Sequence, residues 1–167
     1  MILRKTSILG IVLIIFCLIF MLSCETAQKL DPEGTLVSYE GCKNTGVASF
    51  SSEGLNSADF GQECIEFGYS GNVLRIKHIN ASFNCCLEKI VGTVSFEGSI
   101  ISIESEGILD NGGCHCLCLY DVVYEIYDLT PGSYIIVAPT FANSMEINLK
   151  NTPSGLFCEA RNSYPWD

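Results

Sequence analysis

Helical periodicity is missing from nearly all of this sequence. Beyond the first two dozen residues, no stretch repeats its apolar positions every 3.6 residues between capping residues. That argues against a helical bundle. Basic residues are scarce too: nine Lys and Arg stand against nineteen Asp and Glu, a formal charge of −10. Such a surface offers no basic footprint, so nucleic acid is not an expected partner, and a phosphate-rich surface is equally unattractive. Catalytic signatures are absent as well. There is no Gly-x-Ser-x-Gly elbow and no Cys-x-x-Cys at a helix start, the arrangement that lowers a thiol pKa. The histidines offer little: His78, between Lys77 and Ile79, reads as an ordinary strand residue. Glu104 and Glu106 share a strand face but read as a solvated strand end rather than an acid/base pair. Asp110-Asn111-Gly112 is too short a run of oxygen ligands for a calcium loop. Neither an enzyme nor a cofactor is expected.

What is present begins with an address. Arg4 and Lys5 precede an apolar run from Ile8 to Leu22, shorter than the roughly 20 residues that a spanning helix needs. Residues 1–23 therefore read as a signal peptide. The sequence Met21-Leu22-Ser23-Cys24 resembles the lipobox of bacterial lipoproteins, with a small residue directly before the cysteine. The resemblance implies cleavage before Cys24 and a diacylglycerol on its thiol, and two or three acyl chains anchor a protein stably where one is marginal. The expected location is the bacterial cell envelope, on the periplasmic or outer side, with the membrane reached through the N-terminal lipid. The chain from Cys24 has 144 residues and, without Arg4 and Lys5, seven basic against nineteen acidic residues, a formal charge of −12. Residues 24–35 read as a tether and 36–167 as a single domain.

Setting Cys17 and Cys24 aside leaves Cys42, Cys64, Cys85, Cys86, Cys114, Cys116, Cys118 and Cys158. An even, dense set in a small exported domain favours disulfides, and eight cysteines allow 105 pairings. Cys114-His115-Cys116-Leu117-Cys118-Leu119-Tyr120-Asp121 alternates strictly, which places three sulfurs on one face of an extended strand. Alpha carbons two apart in a strand lie about 6.6 Å from each other with parallel side chains, so bonds within the run would be strained. Partners are expected among Cys85, Cys86, Cys64, Cys42 and Cys158, with the Cys85-Cys86 step linked to two of the three. The alternative is a soft-metal site on Cys114, Cys116 and Cys118 with His115 nearby. Against it, His115 points to the opposite face and the compartment oxidises thiols. A redox-active pair is a third possibility.

The rest reads as short strands. Cys64 to Tyr69 and Val73 to Ile79 form a hairpin around Ser70-Gly71-Asn72, with Leu74 and Ile76 inward. The phase slips near His78, which predicts a bulge. Ile90 to Phe96 and Ile100 to Glu104 make a second hairpin, and Asp110 to Gly113 is a turn into the cysteine run. Further strands are expected at 134–138, 145–150 and 156–161. Asn80-Ala81-Ser82 matches a glycosylation sequon, of little meaning in a bacterial lipoprotein.

Leu129-Thr130-Pro131-Gly132-Ser133-Tyr134 resembles the tyrosine corner of immunoglobulin-like sandwiches, where the phenol bonds back to nearby backbone. The expected fold is all-β: an immunoglobulin-like two-sheet sandwich stapled by disulfides, with a small β-barrel as the alternative. Phe83-Asn84-Cys85-Cys86, the Cys114 to Asp121 run, Gly132-Ser133-Tyr134, and Phe157-Cys158 with Arg161 to Trp166 together resemble a group of uncharacterised secreted bacterial lipoproteins. The resemblance spans about Cys64 to Trp166 and implies address and fold, but no chemistry. The role expected is a binding or structural module, with a protein or glycan ligand. The alternatives are metal handling through the Cys114–Cys118 run, or a sandwich-type peptidase inhibitor with the fold as its only support.

Overall fold

Alternating apolar and polar residues form strands because side chains in an extended chain point to opposite faces in turn. A computed structural model, which describes residues 31–43 and 61–161, carries nine of them: β1 (Glu33–Lys43), β2 (Gln62–Ser70), β3 (Val73–Asn84), β4 (Leu87–Glu97), β5 (Ile100–Leu109), β6 (Leu117–Tyr127), β7 (Ser133–Val137), β8 (Met145–Asn148) and β9 (Ser154–Ala160). Among the described residues there is no helix.

The hairpins form where the turn residues place them. Gly71 and Asn72, at φ 58° and 65°, make a two-residue loop between β2 and β3, the left-handed geometry that matches strand twist. Gly98, at φ 60°, turns β4 into β5. The expected bulge is in β3: pairing with β6 shifts between His78 and Ala81, and Asn80 sits at φ 63°.

All nine strands belong to one sheet, in the order β8-β7-β5-β4-β1-β6-β3-β2-β9. Every neighbour is antiparallel except β5 and β7. The sheet curls until its ends nearly meet, so the small barrel, and not the two-sheet sandwich, is the architecture these strands adopt. The tyrosine corner is nonetheless real: the Tyr134 hydroxyl donates to Thr130 O at 2.7 Å. Four residues suffice to make that bond, so it does not specify how distant strands are layered.

Side chains fill the inside of the curl. Ile65, Leu74, Ile76, Val122, Tyr124, Ile126 and Ile136 have no exposed surface, each aliphatic contributing roughly 1.5–3 kcal/mol by its burial. Close packing uses glycine where a strand presses on a ring. A Cβ at Gly92 of β4 would lie 2.8 Å from the Tyr124 ring and 2.7 Å from Leu36 Cδ1. Gly41 of β1 lies under the Tyr120 ring in the same way.

Two further expectations are corrected. Residues 33–35, expected to lie in a tether, belong to β1, which begins at Glu33 and lies between β4 and β6. The cysteine run is not one strand. Asn111, Gly112 and Gly113 all have positive φ, and the chain stays in an exposed loop until β6 starts at Leu117. Of the three sulfurs, only that of Cys118 belongs to the sheet.

Candidate functional site

The bulge at Asn80 organises the densest polar cluster of the described residues. Glu63 lies at the start of β2 on the parity of Ile65 and Phe67, so a carboxylate occupies an inward position. His78 Nε2 donates to Glu63 Oε1 at 2.5 Å, and the Thr140 hydroxyl donates to the same oxygen at 2.5 Å. Arg161 Nη2 donates to Glu63 Oε2 at 2.7 Å and also reaches Asn80 O. The Phe141 ring meets the His78 ring edge-on, centroids 5.8 Å apart. Burial pushes the Glu63 carboxyl up, but the hydrogen bonds from His78 and Thr140 and the charges of His78 and Arg161 outweigh it. It therefore stays below its ordinary value.

A second group abuts the first through Asn80, which is 1% exposed. Asp121 of β6 receives Lys43 Nζ on Oδ1 and Lys77 Nζ on Oδ2, the latter at 2.9 Å, and the Asn80 N–H at 3.1 Å. Here too burial raises the carboxyl, and the Lys43 and Lys77 ammonium groups with the Asn80 amide overcome it to leave Asp121 below its ordinary value. Asn80 Nδ2 donates to Gln62 O at 2.8 Å while its Oδ1 accepts from Lys43 at 3.0 Å. Spent in this way, the amide is not placed as a glycan acceptor.

The first group ties down the connection between β7 and β8. Thr140 is held by Glu63, and Glu159 of β9 accepts the N–H groups of Ala142 at 3.1 Å and Asn143 at 3.3 Å. This strap crosses the gap between the end strands, where a cleft of about 430 Å³ is lined by Phe141, Met145, Phe157 and Glu159 among others. The Thr140 hydroxyl is turned to the carboxylate rather than the imidazole. The arrangement fixes a loop and is not a nucleophile–base relay. His78 drew attention in the sequence only as a bulge residue. Glu63 went unremarked there, its one signal being a polar residue on core parity, whereas Thr140, Arg161 and Lys43 come together only through folding.

All eight described cysteines pair among themselves: Cys42–Cys118, Cys64–Cys158, Cys85–Cys116 and Cys86–Cys114. The Cys85-Cys86 step is linked to two members of the run, Cys116 and Cys114. Asn84 brackets that junction: its Oδ1 accepts the N–H groups of Cys86 at 2.9 Å and Cys114 at 3.1 Å, and its Nδ2 donates to Cys114 O at 2.5 Å. The alternative metal set does not assemble. Cys114, Cys116 and Cys118 are oxidised, and His115 is exposed in the loop. Among the described residues no group of three or more His, Cys, Asp or Glu is placed to hold an ion. Glu104 and Glu106 are exposed on β5. Cys17, Cys24 and the 162–167 tail lie outside the described residues. Four disulfides in so small a domain are consistent with an extracytoplasmic location.

Compared with protein-family models, with curated proteins and with solved structures, the chain finds no match.

Proposed function

We propose that this chain is a lipid-anchored module of the bacterial cell envelope, hung from Cys24, whose disulfide-braced barrel serves a binding or structural role and not catalysis. One observation carries the reading: the eight described cysteines satisfy one another, which leaves none of them to pair with Cys24. An oxidised domain of this kind belongs outside the cytoplasm. A cysteine left over directly after a small residue and an apolar run is the chemistry a lipoprotein signal requires. The inside of the barrel is occupied by side chains, so a partner of the module meets its rim or outer face and not an internal cavity.

The test is metabolic labelling of the full chain in bacteria with an alkyne fatty acid. Label on the wild type, lost in Cys24→Ser together with membrane retention, supports the anchor. Equal labelling of the two, or release of both into the soluble fraction, overturns it. Crosslinking in intact envelopes then tests the binding role: a discrete protein or glycan adduct supports it, and its absence favours the structural one.

A further inference from the structure

Two of the four disulfides differ in kind from the others. Cys85–Cys116 and Cys86–Cys114 join the same two connections, β3–β4 and β5–β6, and all four residues are exposed or half-exposed. In each remaining bridge one sulfur belongs to a buried residue: Cys64, fully buried, faces Cys158, and Cys118, 4% exposed, faces Cys42. Cys158 is itself exposed, but a nucleophile attacking it would expel the Cys64 thiolate into a fully buried, apolar position, where a thiolate is a poor leaving group.

The paired bridges are also redundant. Their sequence separations are 31 and 28, so either one closes nearly the whole loop. Once one exists, the other closes only a ring of a few residues and removes little further chain entropy. Hydrogen bonds hold the junction independently of sulfur. Besides the Asn84 bracket, Cys85 N–H donates to Cys116 O at 3.2 Å and Asp110 N–H donates to Cys86 O at 3.1 Å.

We propose that Cys85–Cys116 and Cys86–Cys114 form a thiol–disulfide exchange site that accepts electrons from a dithiol reductant outside the cytoplasm while the barrel stays folded. A thiolate of the dithiol attacks the sulfur of Cys116, an exposed residue. The Cys85–Cys116 bond breaks, a mixed disulfide forms at Cys116, and Cys85 leaves as a thiolate that takes up a proton. The second thiol of the reductant then displaces Cys116. The net result is two protein thiols and one disulfide in the partner: two electrons and two protons moved. Cys86–Cys114 repeats the step with a second dithiol. The attacking thiol is external, so the site needs no Cys-x-x-Cys motif of its own. This inference does not depend on lipid at Cys24.

The experiment titrates the purified full-length protein with dithiothreitol in native buffer, traps free thiols by alkylation and maps them by peptide mass. Thiols at residues 85, 86, 114 and 116 are expected at about tenfold less reductant than at 42, 64, 118 and 158, with the β-sheet circular dichroism unchanged. Reduction of all four bridges together, earlier release at Cys158 or Cys42, or loss of the sheet signal with the first thiols overturns the proposal. Reduced glutathione supplies a second readout: adducts on Cys114 or Cys116 are expected, and adducts confined to Cys158 contradict it. The double variant Cys86→Ser with Cys114→Ser should fold and still open Cys85–Cys116 first. If it does not fold, redundancy is refuted.

Discussion

Strands β3, β6 and β1 are joined by long backbone ladders over an apolar interior, whereas the strap between β8 and β9 is held by carboxylates gripping N–H and O–H groups. The ladders use donors and acceptors that do not titrate, so they keep their strength across the pH range. The strap depends on the side chains of Glu63 and Glu159, and its grip is only as good as the few hydrogen bonds they accept. Closing a curled sheet through side chains leaves one side of the molecule able to loosen alone, because local opening is cheapest where few buried contacts are lost.

The largest expected effect lies on the laddered side. Tyr124 has no exposed surface, fills the space over Gly92, and donates its hydroxyl to Glu104 O at 3.0 Å. Tyr124→Ala should cost about 3–5 kcal/mol in urea unfolding. A loss below about 1 kcal/mol would mean the core is not organised around that ring.

Next comes Asp121→Ala, which removes the carboxylate that accepts the Asn80 N–H and leaves two ammonium groups beside each other without it. Both lysines are partly exposed, so the expected loss is about 1–3 kcal/mol, less than for a fully buried pair. The same groups set the acid response. Asp121 and Glu63 are held below ordinary values of 3.8 and 4.5, so their stabilisation is complete above those values. It is lost as pH falls through their lower folded values. The urea midpoint should therefore be steady from neutral pH down to about 5 and fall steeply below about 4. Asp121→Ala and Glu63→Gln should each flatten that fall; an unchanged acid limb in both would remove the charges from the account.

Glu159→Gln sharpens the comparison directly. It should cost about 0.5–1.5 kcal/mol and speed amide exchange at Ala142 and Asn143, leaving β3 and β6 amides as they were. Equal acceleration in β3 and β6 would show that the two sides open as one. The smallest effect is expected at the Arg75–Glu125 pair, where Arg75 is 56% exposed: Arg75→Ala should change stability by about 0–1 kcal/mol.

Local features of this fold are written in short stretches. Gly71-Asn72 and Gly98 mark hairpins because each must take a positive φ, and the slip from Ile76 to Ala81 marks a bulge because two successive faces cannot both be apolar in one phase. Alternation misled at Cys114 and Cys116. A loop that must deliver sulfurs to two neighbouring cysteines spaces them as a strand would. The polar site was nearly invisible, since Glu63, His78, Thr140 and Arg161 span 98 positions and no local pattern joins them.

The sequence by itself determined that this chain is β throughout its described domain, where it turns, and that its cysteines form an even set. Those properties follow from backbone sterics and side-chain period, which act over a few residues. Tertiary structure decided that β1 enters between β4 and β6, that the sheet curls on itself in preference to splitting, and which sulfur meets which. Such choices weigh burial and loop closure over the whole chain at once, and no single segment encodes them.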